Sequence, residues 1–109
     1  MNSMDRIFAA LAHSDRRAIL DIVKSNPGCN VRLVSEQFDT SRIAVLKHIN
    51  VLEKADLLIT ERAGRERKLY FNAVPIQQIY DRWTTEFSAL WARDLTRLKY
   101  NVETKKEES

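Results

Sequence analysis

Arg42, Lys47, Arg62, Arg65, Arg67 and Lys68 are the residues of this sequence best equipped for chemistry, and that chemistry is anion binding. Arginine pairs bidentately with phosphate or with guanine O6 and N7, and lysine serves as a point charge for either. With Lys54 they make seven basic residues against four acids between Thr40 and Tyr70, and the rest of the 109-residue chain carries eleven of each sign. The whole net charge of +3 therefore sits in that stretch. A basic patch on a balanced chain is the electrostatic footprint of a nucleic-acid binder; a solvated charged face is the plainer alternative.

Other chemistries find little to work with. No nucleophile–base pair, glycine-rich phosphate loop or pocketed carboxylate pair stands out, so no catalytic residue, enzyme activity or cofactor is expected. The lone cysteine, Cys29, leaves no intramolecular disulfide and fits a reducing compartment. It is either a redox-sensitive thiol or, the favoured reading, a tolerated residue near a turn. His48 either donates to a phosphate or packs as a hydrogen-bonded histidine at the core boundary. His13, the only other histidine, has no obvious ligand set. No apolar run approaches the ~20 residues of a membrane span. The start carries Asp5 and Arg6 and lacks the apolar region of a signal peptide. A cytoplasmic protein with no membrane partner is expected.

The elements that must hold the basic residues follow from periodicity. Met4, Ile7, Phe8 and Leu11 recur at helical spacing. Ser14 and Asp15 start a second helix, with Ala18, Ile19, Ile22 and Val23 as its buried stripe and Asn26-Pro27-Gly28 as its stop. Asn30 caps a short third helix whose Val31, Val34 and Phe38 face inward. The turn Asp39-Thr40-Ser41 leads into a fourth helix, Arg42 to Ala55, and such a pair reads as a helix-turn-helix. Strand-like runs at 57–60 and 68–71 flank a charged stretch, Glu61 to Arg67, that contains Gly64: a hairpin wing with a basic tip. Pro75 opens a long last helix. Residues 1–100 are expected to form one DNA-binding and dimerisation domain, and 101–109 a polar, frayed tail.

On the fourth helix, Val45, Ile49 and Leu52 share the inner side, with His48 at its edge. Ile43, Lys47, Asn50 and Lys54 fall opposite, with Leu46 on the flank. Arg42 stands at the helix start beside Thr40 and Ser41, where a recognition helix reaches base edges and backbone amides favour phosphate. Ile43 and Leu46 are aliphatic on a face meant for solvent. They either touch another part of the protein or contact thymine methyls, which would favour A·T pairs.

The strings 8–20 (FAALAHSDRRAIL), 41–49 (SRIAVLKHI), 51–58 (VLEKADLL) and 64–70 (GRERKLY) resemble ArsR-type winged-helix repressors, in order and at the expected spacing. The resemblance runs from about Met4 to Tyr100. It implies a mainly α winged helix-turn-helix with a small β-hairpin, a homodimer built from the first and last helices, and repression at a two-fold-symmetric operator in double-stranded DNA. Carried over by position, Ser41, Arg42, Ile43, Leu46, Lys47 and His48 fall in the DNA-reading stretch, and Arg62, Arg65 and Arg67 in the wing. The sequence departs from the pattern at Leu46, where Ser or Thr is usual, and at His13-Ser14, which replaces Asp-Pro. Asn30 and Arg32 occupy the positions of the Cys-x-Cys pair of metal-sensing members, and no histidine follows Pro75, so no metal is expected.

In the last helix Trp83, Phe87 and Trp91 are spaced by four, with Tyr80 and Leu90 on the same side. So small a domain has difficulty burying both tryptophans. The stripe is read as divided between core and a dimer interface shared with Phe8, the interface taking the larger part. A pocket for an apolar effector is the weaker alternative, and the effector, if one exists, is not legible. From another class of function, a winged helix that binds protein in place of DNA is opposed by the basic residues of the recognition helix and wing.

Overall fold

Each helix of the N-terminal part begins where a side chain can absorb an otherwise unpaired amide. In the computed structural model, which describes residues 2–84 and 93–103, α1 (Ser3–Leu11) is capped by Asn2, whose side chain accepts from the Asp5 amide at 2.8 Å. For α2 (Ser14–Ser25) the capping side chain is that of His13, one residue before the expected start, with Asp15 in the first turn. Asn30 caps α3 (Val31–Ser35) as expected, through Leu33 N at 2.9 Å. Ser41 caps α4 (Arg42–Lys54) through Ala44 N at 3.2 Å.

Helix α3 is shorter than its apolar pattern implied. The chain tightens after Ser35 into three-residue bonds, Gln37 N to Val34 O and Phe38 N to Ser35 O. Phe38 therefore turns half inward from the connection and not from the helix. Helix α4 ends on a Schellman closure: Leu57 N donates to Leu52 O, and Asp56 N to Glu53 O. This places Asp56 in the left-handed region, at φ 60°.

Strands β1 (Leu58–Ala63) and β2 (Glu66–Phe71) pair antiparallel, from Leu58 opposite Phe71 to Ala63 opposite Glu66. They run further into the charged stretch than expected, because only Gly64 and Arg65 are needed to reverse the chain. Gly64 has φ +65° and Arg65 does not share it, the pattern of a type II′ turn. A short bridge joins Cys29 to Leu69, with Leu69 N donating to Cys29 O and Gly28 N to Leu69 O, both at 2.8 Å. Gly28 sits at φ +80° with the Tyr70 hydroxyl 3.3 Å from where a Cβ would stand, so glycine serves two needs there.

The core gathers one stripe from each element. Ile19 and Val23 of α2, Val34 of α3, Val45, Ile49 and Leu52 of α4, Leu57, and Leu69 of β2 are fully buried. Each such side chain contributes about 2 kcal/mol of transfer free energy. Among the described residues no polar or charged side chain is buried.

The chain divides into two compact units, Met1–Ile76 and Gln77–Ser109. A single long last helix was expected from Pro75. Helix α5 (Val74–Trp83) stops where the Thr84 hydroxyl donates back to the Tyr80 carbonyl. Residues 93–103, α6, are helical, and so include the first three positions of the segment expected to fray. No described helix is long and apolar enough to cross a membrane.

Candidate nucleic-acid interface

The inner side of α4 is fixed by Val45, Ile49 and Leu52, all buried, and this decides what faces out. Arg42, Lys47, Asn50 and Lys54 are exposed, Leu46 is half-buried, and Ile43 is 68% exposed. Thr40 and Ser41 lie exposed at the helix start; Ser41 Oγ accepts from the helix amide and keeps its hydroxyl proton to donate. The same pattern governs the wing. Leu69 points into the core, Arg62 and Arg65 are exposed, and Arg67 and Lys68 are half-buried.

A cleft of about 380 Å³ joins the two elements. It brings Arg42 and Leu46 of α4 together with Arg65, Glu66 and Arg67 of the wing, and adds Asn30, Val31 and Arg32 from the start of α3. Four arginines against one glutamate line it, a balance suited to a phosphate backbone. Arg32 was missed as a site residue because nothing in its own neighbourhood marks it; its Nε is engaged with Glu36 at 3.0 Å in an exposed pair. Arg67 has a second duty. Its guanidinium pairs with Glu53 of α4, both side chains being about 30% exposed, so it braces the wing against the recognition helix. Asn30 Nδ2 reaches Glu66 Oε1 at 3.4 Å and steadies the wing from the other side.

His48 is half-buried at the edge of α4, its ring tilted against that of His13 with 4.6 Å between ring centroids. Its Nδ1 faces the Arg16 guanidinium at 3.4 Å. Burial first, then the charges of His13 and Arg16, hold its imidazole below the ordinary value of 6.5, with Asp15 opposing. Sequence reading found no partner for His13; the fold supplies His48 and Asp15, with ligand atoms of all three within 4.8 Å of one another. Arg16 was likewise missed, since its contacts lie six, seven and 32 residues away.

Cys29 is partly covered, and burial pushes its thiol up against the smaller lowering effect of a backbone hydrogen bond. A raised thiol stays protonated at neutral pH, which fits the tolerated-residue reading better than a reactive one. Of the residues assigned to a dimer interface, Phe8 is 47%, Tyr80 61% and Trp83 57% exposed. Phe87, Leu90 and Trp91 lie outside the described residues.

A helix-turn-helix followed at once by a hairpin, with basic residues at the helix start and hairpin turn, defines a winged helix-turn-helix. Comparison with known proteins agrees. The family described as winged helix-turn-helix DNA-binding matches residues 16–59. The HTH-type transcriptional regulator YuzN of Bacillus subtilis (strain 168) is 35% identical over 85 residues, covering 72% of this chain and 92% of YuzN. The transcriptional repressor SdpR of the same organism is 26% identical over 84 residues, covering 77% of this chain and 91% of SdpR. Among solved structures, the ArsR family transcriptional regulator RHA00566 superposes with a TM-score of 0.69 at 30% identity, covering 83% of this chain and 91% of that one. The chain belongs to the ArsR-type family of winged helix-turn-helix DNA-binding transcriptional regulators.

Proposed function

We propose that the protein is a sequence-specific repressor that binds a two-fold-symmetric operator in double-stranded DNA as a homodimer and occludes the promoter. The observation that carries the reading is the cleft where Arg42 and Leu46 of the recognition helix meet Arg65 and Arg67 of the wing. In this reading Arg42 and Lys47 pair with guanine or phosphate, while Ile43 and Leu46 meet thymine methyls. Thr40 and Ser41 donate to phosphate. Arg62, Arg65 and Lys68 follow the backbone beside the helix. A dimer would set two recognition helices about one DNA turn apart, ~34 Å. The exposure of Phe8, Tyr80 and Trp83 supports association, because these aromatic side chains are available to anchor an interface. Repression in place of activation is supported by the likeness to SdpR, a transcriptional repressor. No cofactor or metal enters the reading, and its place of action is the cytoplasm.

The test is fluorescence-anisotropy binding to duplexes from a random-site selection, repeated across a salt series. A two-fold-symmetric site that is preferred over random DNA and weakens steeply with salt is the expected result. If no sequence is enriched and affinity is weak even at low salt, the repressor reading fails, and the winged helix acts through a protein partner.

A further inference from the structure

Two imidazoles meet where the recognition helix leans on the α1–α2 junction. His13 and His48 lie with ring planes tilted by 49° and centroids 4.6 Å apart. Each turns Nδ1 toward a group that can only donate. His13 Nδ1 accepts the Asp15 amide at 3.1 Å and so caps α2. His48 Nδ1 faces Arg16 Nη1 at 3.4 Å. Neither a peptide N–H nor a guanidinium carries a lone pair to offer, so both Nδ1 atoms must be bare. In this arrangement each Nδ1 serves as an acceptor, the role that a ring carrying its proton on Nε2 provides.

Arg16 cannot step aside easily. Its Nε donates to Ala10 O at 2.8 Å and its Nη2 to Ala9 O at 3.0 Å, which ties it to the end of α1. The titratable and charged groups facing His48 are thus His13 from the junction and Arg16 and Asp15 from the first turn of α2. One cation, one acid and a second imidazole surround a ring that would become a further cation.

We propose that the His13–His48 pair is a proton-controlled latch on the recognition helix: neutral, it seats α4 against the α1–α2 junction, and protonated, it loosens that seat and lowers DNA affinity. Protonation of His13 sets an N–H against the Asp15 amide and removes the α2 cap. Protonation of His48 sets a new cation against both the Arg16 guanidinium and the His13 ring. A metal ion suits the cluster less well than a proton does. Although donors of His13, Asp15 and His48 lie within 4.8 Å of one another, His13 Nδ1 is committed to the cap and Arg16 opposes any cation beside His48. The effect on DNA rests on the function proposed above; the effect on the seat of α4 does not.

The experiment compares melting temperatures of the full-length protein, His13→Asn and His48→Gln between about pH 7.5 and about pH 5.5, the range over which imidazole titrates. Asparagine keeps a capping oxygen and glutamine keeps an acceptor for Arg16, and neither titrates. The expected result is a loss of about 5 °C in the wild type and less than half of that in each variant. Equal losses in all three overturn the latch. So does a rise in wild-type melting temperature on adding zinc that His13→Asn abolishes, because a metal would then be the occupant. Duplex affinity, followed in parallel by anisotropy well below the melting temperature, should fall with pH in the wild type and stay level in His48→Gln. The same fall in both overturns the regulatory half. Should His13→Asn not fold, the His48→Gln comparison decides alone. If no duplex binds at any pH, the repressor reading falls while the melting comparison still decides the latch.

Discussion

Arg65 and Arg67 are two residues apart in the wing, of the same type, and placed differently. Arg65 stands exposed at the turn, whereas Arg67 is held by Glu53 of α4. Arg65→Ala should reduce the log–log salt slope of DNA binding by about 0.9, the loss of one phosphate contact, and leave site preference alone. Leu46→Ala should do the reverse, changing the selected sequence with little effect on the slope. For Arg67 the expected loss is partly structural. A double-mutant cycle on Glu53→Ala and Arg67→Ala, followed by urea unfolding, should give a coupling of about 1 kcal/mol, as for a partly screened pair with fixed geometry. The basic character of both arginines was legible in the sequence. Their separate uses were not, because Glu53 lies 14 positions before Arg67 and no periodicity joins them. His48 shows the same limit. Its value below 6.5 means that its contribution to stability is fully present above about pH 6.5 and is lost as pH falls through the folded-state value. A reader of the sequence sees a histidine at a helix edge, not the arginine and second imidazole packed against it.

At the scale of elements, caps and turns explain the boundaries. Asp56 closes α4 in the left-handed conformation, and its carbonyl accepts from Asn72 Nδ2 at 2.8 Å while Asn72 N donates to Leu57 O at 3.0 Å. The end of the recognition helix and the end of the wing are thereby tied together. Asp56→Val should cost about 2 kcal/mol in chemical unfolding, since a β-branched residue resists positive φ, whereas Asp56→Gly should be neutral or stabilising by up to about 1 kcal/mol. A loss with glycine as large as with valine would show that the aspartate side chain, and not the backbone, matters. The sequence marked this region only as a change of period after Asp56. It also placed the α3, α4 and wing elements correctly, because each carries its own cap or alternation. It overextended α3 and shortened the strands. Phe38 continued the apolar pattern past the last helical bond, and residues 61–63 and 66–67 of the charged stretch looked like a loop although they pair across a two-residue turn.

For the whole molecule the open question is what covers the apolar side chains that one chain leaves exposed. Tyr80, Trp83, Leu95 and Leu98 are each more than half exposed, and Phe8 is close to it. If these faces meet in a homodimer, Trp83→Ala should raise the dimer dissociation constant at least tenfold, as for an aromatic anchor, and DNA affinity should fall with it. Sedimentation equilibrium across micromolar concentrations checks the first effect and anisotropy the second. A variant that remains dimeric at the wild-type concentration would remove Trp83 from the interface.

The sequence by itself determined the local facts: helix starts near Ser14, Asn30 and Ser41 marked by capping residues, a wing marked by alternation and Gly64, and a basic stretch that holds the entire net charge. These are properties of neighbours along the chain, governed by hydrogen bonds and periodicities only a few residues long. The tertiary structure decided what long-range packing alone can decide. It brought Arg32 into one cleft with Arg42 and Arg65, gave Arg67 to Glu53, and set His13 against His48 across 35 positions beside the guanidinium of Arg16. Charge and type are written in the residue, but a pairing between distant residues exists only once the core of Ile19, Val45, Ile49 and Leu69 has fixed the helices and the wing in place.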